Sequence, residues 1–199
     1  MGRDKALLPW AGGTLLEAAC RTAGEAAGQV VLVAPEGRYP RFTGRRIADA
    51  RPGWGPLAGI EAALRDTDAD WNLIVACDMP LLTTGLLGRL LGQAVELEAD
   101  CLIPEAAGHR HPLAAAYHRR CVGEVSRALD DGVRRVLDAV ARVRCAAWQV
   151  PLVDQFRFSN ANTPGEWEEL RRLAGLIPDT KRPESAEARH ADKTRDDAV

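Results

Sequence analysis

The chain has 199 residues, a formal net charge of −2, 46% hydrophobic and 27% charged residues, which suits one domain with a packed core. That balance excludes a nucleic-acid binder built on a basic face, so a phosphorylated ligand must be held by a few placed cations and backbone N–H groups. No apolar run approaches the roughly 18–20 residues of a membrane span, and the N-terminus does not read as a secretory signal.

In chain order, Met1-Gly2-Arg3-Asp4-Lys5-Ala6-Leu7-Leu8 comes first. A glycine, an acid and a lysine leading into an apolar segment read as the second half of a phosphate-binding loop. Thr14-Leu15-Leu16-Glu17 has the form of a capping box and predicts a helix to about Gly28. Gln29 to Ala34 is a β-branched run stopped by Pro35, as expected of a parallel strand covered on both faces. Arg46-Ile47-Ala48-Asp49 reads as a short strand ending on an acid. Pro52-Gly53-Trp54-Gly55-Pro56 is a rigid turn, and Pro56 can open a helix carrying Leu57, Ile60 and Leu64.

Asn72 to Ala76 is the clearest buried strand, and it runs into Cys77-Asp78-Met79-Pro80. Thr83 or Thr84 can cap a helix to about Leu97. Asp100–Pro104 and Pro112–Tyr117 read as strands around a glycine-containing loop. Helices are expected near 120–129 and 133–141. Arg157 to Asn162 reads as extended, with Pro164 opening a last helix to about Leu173. Residues 1–177 are expected to form the domain, and the charged stretch 178–199 a disordered tail.

Alternating strands and helices predict an α/β fold, a three-layer sandwich around a mostly parallel sheet. Ligands then sit at the carboxyl ends of the strands, where Asp49 and Asp78 lie. Asp78 could hold a hard cation such as magnesium, which takes oxygen ligands and often one carboxylate. Lys5 could neutralise phosphate oxygens. Asp49 could accept hydrogen bonds from a base or ribose, or simply close an Asx turn. Asn160 and Asn162 could face a substrate or metal, or cap the helix that follows. Trp54 could stack on a base or simply pack. His109 and His111 lack partners at zinc-ligand spacing and read as solvated loop residues. Cys20, Cys77, Cys101, Cys121 and Cys145 form no paired motif. They read as reduced apolar side chains in a reducing cytoplasm.

Taken in order, several segments resemble the molybdenum cofactor guanylyltransferase family. They are Met1–Ala6, Asp49, Pro52–Ile60, Cys77-Asp78-Met79-Pro80, His111-Pro112-Leu113 and Asn160-Ala161-Asn162-Thr163-Pro164. The resemblance covers about residues 1–173. It implies a Rossmann-like nucleotidyltransferase fold that uses GTP and magnesium to convert molybdenum-bound molybdopterin into its guanine dinucleotide. A molybdoenzyme or cofactor chaperone is the implied partner. By resemblance Lys5 and Asp78 are catalytic and Asp78 binds the metal. Lys5, Asp49, Asp78, Pro56 and Leu57 bind nucleotide, and Asn160 and Asn162 face the second substrate.

The family also begins with a short apolar strand and a glycine-rich loop ahead of the segment matched by Met1–Ala6. The resemblance therefore implies a start site placed too late, the loss of one central strand and most of the phosphate cradle, and low stability. Two other readings stay open: cytidylyl rather than guanylyl transfer, and a non-catalytic truncated paralogue.

Overall fold

The computed structural model describes residues 4–160 and 162–176. The tail expected over 178–199 lies outside them, as do Ala161 and residues 1–3.

A 3₁₀ turn, Lys5–Leu7, opens the fold and is capped by Asp4, whose carboxylate accepts the Ala6 N–H. A small hairpin follows, β1 (Pro9–Trp10) with β2 (Gly13–Thr14). Helix α1 (Leu15–Ala27) starts at the expected capping box, with Thr14 and Glu17 exchanging side-chain and backbone hydrogen bonds. Strands β3 (Val31–Val33) and β4 (Arg45–Ile47) pair in parallel. Helix α2 (Pro56–Asp66) begins with Pro56 in its first turn and leads to β5 (Trp71–Val75). Helix α3 (Thr84–Val95) is capped by the Thr83 hydroxyl. Then come β6 (Cys101–Ala106), β7 (His109–Arg110), β8 (Ala114–His118), α4 (Val122–Asp130), α5 (Val136–Val140), β9 (Cys145–Gln149) and α6 (Pro164–Leu176).

The main sheet is mixed, which corrects the expectation of a mostly parallel one. Strand β8 lies between β5 and β6 and runs antiparallel to both, while β9 is parallel to the other edge of β6. The reason lies in the connection after β6. Ala107 (φ 49°) and Gly108 (φ 77°) both take left-handed backbone and turn the chain straight back into β7. A parallel return would need a crossover of about a dozen residues or more.

Helices cover both faces of this sheet. Alternation along the strands sends Cys101, Ile103, Ala115 and Tyr117 toward α2, α4 and α5. Leu102, Ala106, Ala114 and Ala116 point the other way, toward α3.

Strands β3 and β4 stand apart as a second, two-stranded sheet. Between β3 and β5 lies a cavity of about 660 Å³. Val31 and Val33 line it from one side, Leu73 and Val75 from the other, and Leu16 and Ile60 from the helices. Among the described residues β3 pairs only with β4, and β5 only with β8.

Residues 152–158 form a 3₁₀ helix, so the predicted extended segment begins only after Phe158. Pro151 presets the first turn, Arg157 pairs with Asp154 three residues back, and Phe158 is buried beneath. In a 3₁₀ helix that spacing stacks side chains directly above one another.

Candidate active site

Both β3 and β5 enter the cavity from the end marked by Gln29 and Trp71. They leave toward the end marked by Tyr39, Cys77 and Asp78, where Asp4 and Lys5 also lie. Asp4 ties this rim together. Its carboxylate accepts the Arg38 guanidinium at 2.7 Å and the Tyr39 hydroxyl at 3.2 Å. Burial works to raise the Asp4 pKa, but the hydrogen bonds from Arg38, Tyr39 and the Ala6 N–H prevail and lower it. Tyr39 sits at φ 56°, a left-handed conformation unusual for an aromatic residue.

Lys5 and Asp78, more than seventy residues apart in sequence, thus line one end of one cavity. Asp78 follows β5 in a turn and is half-buried. Cys77 beside it is pushed up to about 11, first by burial and then by the Asp78 carboxylate. The Lys5 Nζ donates to the Asn162 Oδ1 at 2.6 Å, bringing the last predicted segment to the same rim. The cap of α6 is Thr163, whose hydroxyl accepts the Glu166 N–H. Glu166 accepts the backbone N–H groups of Asn162 and Thr163 in return. The Asn162 amide is therefore not spent on capping. Asn160 is exposed nearby in sequence.

Other predicted site residues fall elsewhere. The Asp49 carboxylate accepts the Arg51 N–H at 2.7 Å, closing the Asx turn that was its structural alternative, and Asp49 is not among the residues lining the cavity. The Leu57 side chain is wholly buried in the core, so a nucleotide contact at this position would come from its backbone. Pro56 lines the main cavity and also a second one of about 320 Å³, formed with Pro112, Leu113, Arg134 and Arg135. The Trp54 ring is covered by the Arg134 guanidinium at 3.4 Å, with Arg51 at 5.3 Å, so its stacking partners are already arginines. His111 is half-buried against Phe158 rather than solvated. Burial lowers its pKa.

Several contributors were not legible in the sequence. Arg38 and Tyr39 come from a loop with no motif. Arg134 and Arg135 come from a helix start whose place beside Pro56 is set only by packing. Glu61 is the one charged side chain that is buried among the described residues. It binds Arg51 at 3.0 Å and Arg65 at 3.0 Å, and Arg51 reaches on to Asp130 at 2.7 Å. This network anchors the turn that carries Asp49 and Trp54. Arg51 and Glu61 stand ten residues apart, a spacing that carries no signal that they would meet.

No group of three or more histidine, cysteine, aspartate or glutamate side chains placed to hold a metal occurs among the described residues. Among the described residues lining this rim, Asp78 is the carboxylate left to a cation, since Asp4 is engaged with Arg38 and Tyr39. That donor set suits a magnesium ion completing its shell with phosphate oxygens and water.

Residues 1–144 match the family model for the MobA-like NTP transferase domain. The chain is 34% identical over 179 residues to the molybdenum cofactor guanylyltransferase of Xanthomonas euvesicatoria pv. vesicatoria (strain 85-10), covering 85% of this chain and 87% of that protein. It is 31% identical over 184 residues to a probable molybdenum cofactor guanylyltransferase of Bacillus subtilis (strain 168), covering 88% and 90%. Among solved structures it is similar to molybdopterin-guanine dinucleotide biosynthesis protein A from Archaeoglobus fulgidus. There the TM-score is 0.77 and the identity 26%, covering 88% of this chain and 93% of that one. The 2-C-methyl-D-erythritol 4-phosphate cytidylyltransferase of Thermus thermophilus shares the fold, with a TM-score of 0.68 at 17% identity, covering 86% and 94%.

Proposed function

The chain belongs to the MobA-like NTP transferase family and is a nucleotidyltransferase; from that premise we propose that it transfers GMP from GTP to molybdenum-bound molybdopterin, releasing pyrophosphate. The observation that carries the reading is the meeting of Lys5, Asp78 and, through Lys5, Asn162 at one cavity rim.

The chemistry asks little of the protein beyond placement. The terminal phosphate of molybdopterin is already an anionic nucleophile. One of its oxygens forms a bond to the α-phosphorus of GTP, and the bond from that phosphorus to the bridging oxygen breaks. The electron pair leaves with pyrophosphate, and no proton need be removed first. Alignment and charge neutralisation are what lower the barrier. Lys5 supplies a fixed positive charge to the phosphates. Asp78 would hold the magnesium, which supplies charge neutralisation across the phosphate oxygens when bound. Asn162, held by Lys5, presents amide hydrogen-bonding groups toward the second substrate. Arg134 and Arg135, across Pro56 in the smaller cavity, offer guanidinium groups suited to an incoming phosphate.

The large cavity bears on the same reading. It is lined by β3 and β5 and by mostly apolar side chains of α1 and α2. A strand satisfies both, with backbone groups for the edges and apolar side chains for the helices. We read the cavity as the seat of one more strand, parallel to β3 and β5, which would join the two sheets and end at the Asp4 rim.

Turnover of GTP against CTP, with molybdopterin as acceptor, tests the assignment. GTP is expected to be strongly preferred; preferred CTP use would replace guanylyl by cytidylyl transfer. Binding of neither nucleotide, even with an added strand filling the cavity, would favour a non-catalytic paralogue.

A further inference from the structure

Away from the nucleotide rim, three thiols share one buried cluster: Cys101 on β6, Cys121 just before α4, and Cys145 at the start of β9. Cys101 and Cys145 stand directly opposite one another in the parallel ladder. Neighbouring strands run about 4.7–4.9 Å apart, inside the Cα separation of about 4.4–6.8 Å that a disulfide spans. Both side chains lie on the face that carries α4 and α5, and the Cys145 thiol donates to the neighbouring Ala146 carbonyl at 3.6 Å.

The residues just ahead of each cysteine clamp this register. The Asp100 N–H donates to the Arg144 carbonyl at 2.7 Å, and the Arg144 N–H donates to Asp100 Oδ2 at 3.0 Å. The Arg144 guanidinium reaches Asp100 Oδ1 at 3.1 Å, and Arg120 reaches the same oxygen at 2.5 Å. Cys121 is engaged differently, with its Sγ on the Asp100 carbonyl at 2.9 Å.

The two partners differ in access. Cys101 is fully buried in the sheet, whereas Cys145 is half-buried on a strand at the sheet edge. The adjoining Cys101 thiol comes first in lowering the Cys145 pKa from the ordinary thiol value; burial opposes it and the nearby Arg110 charge helps.

We infer that Cys101 and Cys145 form a thiol–disulfide exchange site that takes a small-molecule disulfide. The Cys145 thiolate attacks one sulfur of the small disulfide, forming a mixed disulfide and expelling one small thiolate. The Cys101 thiol, losing its proton, attacks the Cys145 sulfur and expels the second small thiolate, which takes up that proton. Two protein thiols are oxidised and one small disulfide is reduced to two thiols. The bond closes the base of the segment that bears Arg134 and Arg135, and a small thiol reverses it.

The full chain, folded and without denaturant, is incubated with glutathione disulfide and mapped by mass spectrometry without reduction. The expected product links the Cys101 and Cys145 peptides and returns to two thiols with dithiothreitol. Cys101→Ser should stop at the mixed disulfide on Cys145, and Cys145→Ser should leave Cys101 unmodified. Cys121→Ser should close as the parent does, and circular dichroism checks that each variant is folded. A parent chain that stays glutathionylated on Cys145, links Cys101 to Cys121 instead, or reacts only once unfolded would overturn the inference.

Discussion

At the scale of single residues, the site rests on charges that need opposite signs close together. Asp78→Ala removes the carboxylate available to a cation while leaving a turn that alanine tolerates. Magnesium-dependent transfer is expected to fall by about 10²–10³-fold or more, the scale seen for one lost electrostatic group in an active site. Circular dichroism should be unchanged, and near-parent turnover would remove Asp78 from the site. Lys5→Ala removes the cation proposed to face the phosphates and releases Asn162. GTP affinity should weaken about tenfold or more, read by calorimetry; an unchanged Kd contradicts the role. Asp100 gives a pH signature independent of catalysis. Burial pushes its pKa up, but the Arg144 and Arg120 hydrogen bonds outweigh it and hold it at about 2 against an ordinary 3.8. A carboxylate depressed in the folded state adds stability above its unfolded pKa and loses it as pH falls through the folded one. The parent melting temperature should therefore drop between pH 3.8 and about 2. Asp100→Asn should drop less over that window; equal slopes would assign the acid loss to other groups.

At the scale of elements, local signals and tertiary partners divide the work. Helix α1 is where its capping box and amphipathic pattern put it, and α2 starts at the proline that fits a first helical turn. Glu61 in α2 has no local reason to be charged. Its carboxylate sits almost out of water between Arg51 and Arg65, and through Arg51 it fixes the turn holding Asp49 and Trp54. Removing one partner of a buried ion pair leaves the other charge poorly solvated. Glu61→Leu is expected to cost about 2–3 kcal/mol, below the full range for a fully buried pair because Arg65 is largely exposed and Arg51 keeps Asp130. Urea denaturation measures it; a loss under about 0.5 kcal/mol, the scale of ordinary surface substitutions, would make the network ornamental. The 3₁₀ helix at 152–158 is an element the sequence hides, since its residues carry no helical periodicity and its geometry follows from Pro151 and the burial of Phe158.

At the scale of the molecule, two separate sheets flank the 660 Å³ cavity, with β3 lining one side and β5 the other. Empty apolar space and unpaired strand edges both lower stability. A variant that carries an apolar, β-branched strand joined by a flexible linker ahead of Asp4 is expected to seat it between β3 and β5. Its melting temperature should rise by several degrees, since about 1 kcal/mol is worth roughly 2–4 °C in a domain of this size. Amide exchange at Val31–Val33 and Trp71–Val75 should slow together. A strand that raises neither measure would show that the cavity is not a strand seat.

The sequence alone determined the elements whose causes are local: a capping box, a proline at a helix start, and β-branched runs. It also carried the order of motifs that resembles one family, and with it the expectation that Lys5, Asp78 and Asn162 serve one site. Only the tertiary structure decided what depends on distant segments meeting. That includes strand direction in the main sheet, the burial of the Leu57 side chain, the engagement of Asp49 in its own turn, and the arrival of Arg38, Tyr39 and Arg134 from loops without pattern. The physical reason is that hydrogen-bond periodicity and capping act over a few residues, whereas pairing, burial and charge neutralisation act through space and leave no mark on neighbours in the chain.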